Sequence, residues 1–326
     1  MKIMEAVPNI SEGKDPKIIA ACAQAARQAC AQAKLLHTDS NPDANRTVLT
    51  LAGTPEGVRR AAFALMQTAT RLIDMRLQHG AHPRLGAVDV CPFVPVAGMT
   101  LAEATEQARL LGQEAAEQLG IPVYFYEANA RQENRKNLAF IRRGEYESLP
   151  QKLAELPPDL GPREFSPHVA KTGAVVIGAR NFLLAFNVSL NTQDTAAAKE
   201  IAGVLREKNG GLPAVKAIGW LMPGYQAAQV SFNLTDFHKT GLAQVFEACR
   251  REAEARGLSV TGSELIGLAP QEALAAAGRF YLPDCQDTHT LLRQAVLRLG
   301  LNKIRPFHLR ERILEFRLQE ELQQGK

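Results

Sequence analysis

Apolar and polar positions along the chain follow two periods in turn, and the switches between them mark the elements. Residues 1–10 alternate well enough for a first strand, closed by Pro8 and the turn-forming Ser11-Glu12-Gly13. Asp15-Pro16 then opens a helix through IIAACAQAARQACAQA, where Pro16 loses nothing by lacking an N–H. KLLHTD and RTVLTLAG predict two strands joined by the turn cluster Ser40-Asn41-Pro42-Asp43. Helix PEGVRRAAFALMQTATRLID follows, then a glycine- and histidine-rich loop and the apolar strand AVDVCPFVPV. Helix LAEATEQARLLGQEAAEQLG leads to the strand PVYFYEAN.

The same pattern returns near Thr172. GAVVIGARNFLLAFNVSL predicts two strands around Gly178-Ala179-Arg180-Asn181, and helix TAAAKEIAGVLREKN stops at Gly210-Gly211. Strands AVKAIGWLM and AAQVSFNLT flank Pro223-Gly224, and helix GLAQVFEACRREAEARG precedes the strand SVTGSELIGL. This order is β-α-β-β-α-β, the split βαβ unit, and the first half has it with one helix and one strand added. The predicted fold class is α/β, an α+β sandwich of two ferredoxin-like split-βαβ subdomains with mostly antiparallel sheets. Residues 148–168 carry five prolines and are taken to join the halves, either as a stiff surface connection or as a wrap over a cleft between them. The closing HLRERILEFRLQEELQQ predicts one charged, amphipathic, packed terminal helix.

Composition narrows the class. At roughly 150 residues per domain, 326 residues make about two domains. With 46% hydrophobic and 22% charged residues, a disordered chain and a small disulfide scaffold are excluded. No apolar run of about 18 residues occurs, and the first fifteen residues meet acids and a proline too early for a signal peptide. The expectation is a cytoplasmic protein with neither a membrane nor a nucleic acid as partner, since the net charge is only +4 and no run of like charges forms an arm. That mild excess suits small anionic substrates as well as an inert surface. Cys22, Cys30, Cys91, Cys249 and Cys285 are spread without a C-x-x-C pair and are expected to be reduced thiols. N-x-S/T triplets at Asn9, Asn45, Asn187 and Asn233 would not be glycosylated there, so these asparagines need another explanation.

The densest polar cluster, DMRLQHGAHPRLGAVD, sets Asp74, Arg76, His79, His82, Arg84 and Asp89 within 16 positions. Histidine takes up and returns protons near neutrality, and a nearby carboxylate fixes its tautomer. The bland alternative is a pair of satisfied surface histidines. A metal site is a third reading, but the two histidines are three apart in a proline-glycine loop, not four apart on a helix. Neither a G-x-S-x-G elbow nor a G-x-G-x-x-G or P-loop motif is present, and Cys91 sits in an apolar strand as a small hydrophobe.

VPNISEG (residues 7–13), NRTVLTLAG (45–53), DMRLQHGAHPRLGAVDVCPFVPV (74–96) and TGAVVIGARNFLLAFNVSLNT (172–192) resemble the signature blocks of the glutamate formimidoyltransferases. The resemblance extends over all 326 residues and implies subdomains at residues 1–181 and 182–326 that flank a folate tunnel, in a homodimer. It leaves no stretch for the cyclodeaminase part of the bifunctional animal proteins, so the transferase alone is expected. The implied reaction moves the formimidoyl group of N-formimidoyl-L-glutamate to N5 of tetrahydrofolate, a co-substrate, in histidine degradation, with no metal. The family's catalytic histidine falls on His82, and Asp39 matches an assisting aspartate. Its folate-binding segment falls on Arg163, Glu164, Phe165, Ser166, Pro167, His168, Val169, Ala170, Lys171 and Thr172. Asn9, Arg46, His79, Arg84 and Arg180 lie within or beside the blocks as substrate-binding candidates, guanidinium forks being suited to glutamyl carboxylates; an arginine in a structural ion pair is the other reading. Tetrahydrofolate is expected between the halves, touching the His82 loop and residues 163–172. Two alternatives stay open: formyl exchange between 5-formyltetrahydrofolate and glutamate, and a folate-binding protein without turnover.

Overall fold

Each of the chain's two units, Met1–Asn181 and Phe182–Lys326, is built around its own sheet. The computed structural model describes residues 2–324. In the N-terminal unit the order is β1 (Ile3–Ala6), β2 (Asn9–Ile10), α1 (Pro16–Ala29), β3 (Ala33–Asn41), β4 (Arg46–Gly53), α2 (Pro55–Leu72), β5 (Val88–Ala97), α3 (Leu101–Leu119) and β6 (Val123–Phe125). Three short helices, α4 (Leu138–Ile141), α5 (Leu149–Glu155) and α6 (Pro167–Thr172), precede β7 (Val175–Ala179). The long helices begin at built-in caps: Asp15 accepts from Lys17 N–H, Thr54 from Gly57 N–H, and Thr100 with Glu103 forms a capping box.

The single strand expected over residues 1–10 is divided at Val7-Pro8, and Met1 lies outside the described residues. Pro8 has no N–H for the ladder. Val7 N–H reaches back to the Pro92 carbonyl (3.0 Å), and the Pro8 carbonyl accepts from Leu49 (3.0 Å). β1 and β2 therefore stay between β4 and β5 as one interrupted strand. With β3 outside β4, these strands make the antiparallel split-βαβ core, and β7 and β6 extend it in parallel beyond β5.

That extension corrects two expectations. β7 is not a neighbour of the following strand in the second unit; it lies between β5 and β6. Residues 148–168 are not a connection between halves but, with α4 before them and α6 at their end, part of the cover of this extension. Parallel strands are stable only with both faces buried. Val123, Phe125, Val175 and Ile177 pack on the helix side. Tyr124, Tyr126 and Val176 pack on the other, against Ile141, Leu149, Leu153 and Val169. The Tyr124 hydroxyl donates to the Leu156 carbonyl (2.8 Å) and Val123 N–H to Leu160 (2.9 Å), which fastens the cover to β6.

In the second unit β8 (Leu184–Leu190), α7 (Thr195–Leu205), β9 (Val215–Met222), β10 (Ala227–Leu234), α8 (Leu242–Glu254) and β11 (Val260–Ile266) give an all-antiparallel sheet in the order β11-β8-β10-β9. Phe186, Val188, Val230 and Phe232 meet α7 and α8 in its core. Two helices that the hydrophobic pattern left unassigned, α9 (Gln271–Tyr281) and α10 (Thr288–Leu299), follow and join that core. The terminal helix is not continuous: α11 (Leu309–Arg312) and α12 (Leu314–Gln324) are broken at Ile313. Ile313 is extended (φ −98°, ψ 125°), and the residues beside it bond Ala269, with Ala269 N–H on Arg312 O and Leu314 N–H on Ala269 O, both at 3.0 Å. Among the described residues no helix is long and apolar enough to cross a membrane.

Gly173 is held at φ 66°, ψ −156°, a region essentially confined to glycine, and a Cβ there would stand 2.4 Å from Gly86 Cα. Gly173→Ala combines backbone strain with overpacking and should cost about 2 kcal/mol or more. Urea denaturation followed on a probe in the first unit would show it, and an unchanged midpoint would contradict the strain.

Candidate active site

The loop between α2 and β5 carries His79, His82 and Arg84, and four segments distant in sequence hold it. The β3–β4 turn ends at Asn45, whose φ of 47° asparagine tolerates better than most residues. Its side-chain carbonyl accepts from Gly13 N–H (2.9 Å), and its amide donates to Gln78 Oε1 (2.5 Å) and to the His79 carbonyl (3.1 Å). Ala81 N–H reaches Asp43 O (2.9 Å), and a Cβ on Gly80 would meet the Ala44 carbonyl at 2.3 Å, so only glycine lets loop and turn approach this closely. Glu12 accepts from Lys14 N–H, Asp15 N–H and Gln78 Nε2.

Beneath the loop lies a buried charge centre. Asp89 on β5 is fully buried, with Oδ2 taking Arg46 Nη2 at 2.6 Å and Arg142 Nη2, and Oδ1 taking Leu85 N–H at 2.9 Å. Arg46 Nε also donates to Asn9 Oδ1 (2.8 Å) and Nη1 to the Pro83 carbonyl (3.4 Å). Asn9 and Arg46, expected as substrate contacts, are thus held by the protein itself, and two of the four triplet asparagines have a structural reason. Burial pushes the Asp89 carboxyl up, but Arg142 and Arg46 outweigh it and hold it at about 2. Burial brings Arg46 down to about 10, against the pull of Asp89.

His82 feels this centre. Burial, joined by the positive charges of Arg46 and Arg142, holds the imidazole well below its usual range, with Asp89 pulling the other way. The ring is neutral at pH 7. Nδ1 lies 2.7 Å from the Pro83 carbonyl, which can only accept, so Nδ1 carries the hydrogen and Nε2 is the basic nitrogen. One carboxylate facing two guanidiniums leaves a net positive surround, suited to a substrate carrying carboxylates.

Arg84 is gripped from the segment after α4. Its Nη1 donates to Glu145 (3.0 Å) and Glu147 (2.9 Å), Nη2 to Glu147 (2.5 Å), and Nε and Nη2 to the Gln78 carbonyl. His79, exposed, has Nδ1 3.4 Å from Arg84 Nη2. Residues 163–172 end on the same loop: Ala87 N–H donates to Thr172 O (2.7 Å) and Ala174 N–H to Leu85 O (3.1 Å). Ser166 caps α6 through Val169 N–H, His168 Nε2 meets the Leu119 carbonyl (2.8 Å), and Lys171 donates to Arg71 O (2.8 Å). Arg163, Glu164, Phe165 and Pro167 are exposed, whereas Val169 is buried and Ala170 accepts from the Tyr146 hydroxyl (2.5 Å). Asp39, buried on β3, has Oδ2 3.9 Å from His37 Nε2. Arg180 directly follows β7, donates to the Asn181 carbonyl and lies beside Tyr126, whose hydroxyl also feels Arg142. Asp74 is taken by Arg76, and among the described residues no three His, Cys, Asp or Glu side chains are grouped to hold a metal.

Arg142, Glu145 and Glu147 were absent from the sequence candidates. Arg142 stands 53 positions from Asp89, in a polar stretch without periodicity, and only the adjacent signs in Arg142-Arg143-Gly144-Glu145 hint at a role.

Comparison with known proteins gives a consistent picture. Residues 3–180 match the model for the formiminotransferase domain, N-terminal subdomain, and residues 185–319 that for the formiminotransferase domain. A formimidoyltransferase-cyclodeaminase of Sus scrofa is 46% identical over 97% of this chain and 60% of its own length. The chain spans about that share of each of the animal formimidoyltransferase-cyclodeaminases it matches. Glutamate formimidoyltransferases of Streptococcus pyogenes and Thermoplasma acidophilum are 40% and 39% identical, each over 86% of this chain and 93% of their own length.

Asp89→Asn leaves the buried Arg46 and the part-buried Arg142 without their anion and should cost about 3–5 kcal/mol at pH 7. The native carboxyl is held below its unfolded value of 3.8, so its contribution is full above that pH and is lost as pH falls through about 2. Urea unfolding across this range should show the parent losing stability that the variant never had. Parallel curves for both proteins would rule out the paired carboxylate.

Proposed function

The chain belongs to the formiminotransferase family, and on that premise we propose that it transfers the formimidoyl group of N-formimidoyl-L-glutamate to N5 of tetrahydrofolate, with His82 as general acid and base. The observation that carries this reading is the His82 ring, neutral at pH 7 and fixed through Nδ1 on Pro83 O so that Nε2 accepts protons. N5 attacks the amidine carbon and passes its proton to Nε2. The bond from that carbon to the glutamate nitrogen then breaks, and Nε2–H returns the proton to the departing nitrogen. Glutamate and 5-formimidoyltetrahydrofolate leave, and the imidazole is neutral again.

Asp89 and its two arginines hold the ring's surroundings, and their excess positive charge favours the glutamyl carboxylates of both substrates. Support for residues 163–172 as part of the tetrahydrofolate site comes from their last residue, Thr172, whose carbonyl accepts from Ala87 N–H, soon after the His82-Pro83-Arg84 stretch. We place the reaction late in histidine degradation, in a cytoplasmic homodimer, the setting that goes with the family.

His82→Ala should fold and bind tetrahydrofolate while losing about 10²–10⁴-fold in turnover, the usual share of a general acid–base group. Spectrophotometric assay with formimidoylglutamate, and with formylglutamate in parallel, measures this; a rate within a few-fold of the parent removes His82 from the mechanism. Because the ring titrates well below the usual 6.5, kcat/KM of the parent should stay level as pH drops from 7 to 6. A fall centred at 6.5 or above would contradict the environment described for the ring.

A further inference from the structure

Residues 138–148 cross the loop with one grip at each end: Arg142 on Asp89, and Glu145 with Glu147 on Arg84. Lys152 of α5 ties this segment down from beneath Arg142, and Ser148 Oγ adds a bond to the Arg143 carbonyl (3.1 Å). The lysine side chain is buried (7% exposed), and Nζ donates to the carbonyls of Ile141 and Arg143, each at 2.6 Å. These two residues bracket Arg142.

A buried ammonium is costly, and a methionine of similar length would avoid that cost. Among the described residues the partners of Nζ are these main-chain oxygens, not a carboxylate. Burial, with Arg143 adding its charge and Glu145 opposing, brings the ammonium down to about 8. A lysine tolerated here at such expense serves the segment it holds. We propose that Lys152 is a positioning residue: by fixing the main chain on both sides of Arg142, it sets where that guanidinium stands against Asp89 and His82.

The charged groups that reach His82 include Arg46 from β4, Asp89 from β5 and Arg142 from this segment, and of these Arg142 is the one carried by the chain that Lys152 bonds. The proposal rests on the catalytic reading of His82 for its consequence, but its test does not. The His82 ring proton is followed by NMR against pH in the full chain without substrates, for the parent, Lys152→Met, Arg142→Gln and the double variant. Lys152→Met should raise the His82 midpoint by about one unit toward 6.5, as expected when a neighbouring charge is displaced. In the Arg142→Gln background it should add nothing. The acid limb of kcat should move up with the midpoint, while KM changes little. If Lys152→Met does not fold, Lys152→Gln, whose amide keeps a donor, should give a smaller shift in the same direction. A parent-like midpoint in the folded variant, or a shift that persists without Arg142, overturns the proposal. A shifted midpoint with unchanged turnover upholds it and removes His82 from catalysis.

Discussion

A single fully buried carboxylate sets the terms for the N-terminal unit. Asp89 is fully buried and stays ionised only because two guanidiniums and a backbone N–H surround it. Each of those partners arrives on a different piece of chain: Arg46 opens β4, Leu85 ends the histidine loop, and Arg142 comes from the cover of the parallel strands. An anion this deep cannot lose a partner cheaply, so three segments are locked to β5 at one point. The same arrangement has one positive charge in excess, and burial together with that excess keeps His82 neutral where a surface histidine would be half protonated near pH 6.5.

The fold supplies this point through an addition to a simple plan. A split βαβ sheet needs helices on one face only, but β7 and β6 add parallel strands whose second face must also be covered. The cover is α4, α5 and the chain between them, and it brings Arg142, Glu145 and Glu147 onto the loop as it buries Tyr124 and Val176. Structural closure and site electrostatics are therefore two results of one packing event. Asn45 does the matching work on the other side, binding the β3–β4 turn to Gly13 and His79 with one side chain.

The arginines show how ion-pair chemistry divides roles. Arg46 and Arg84 have the fork that suits a glutamyl carboxylate, yet both are occupied by carboxylates of the chain. Arg84 meets Glu145 and Glu147, which are 40% and 56% exposed, so water screens that contact as it does not screen Asp89. The Arg84 grip is accordingly the softer of the two that hold the loop.

Much of this was legible in the sequence. Periodicity, proline and glycine located the strands and long helices of both split βαβ units, because those signals act over neighbouring residues. The histidine loop stood out by composition, and the blocks around it carried the family. Local signals could not tell that Val175–Ala179 belongs to the first sheet, since partner choice is decided by which faces remain open. Nor could they show the break at Ile313, which comes from its extended backbone beside Ala269. Arg142 was invisible for the same reason: a charge 53 positions from its counter-ion has no period and no motif. The sequence by itself determined which residues can move a proton and which stretches form elements, since both depend on residue type and near neighbours. Only the tertiary structure decided that Asp89 would be buried and doubly paired and His82 neutral, because burial and long-range charge exist only once the chain has closed on itself.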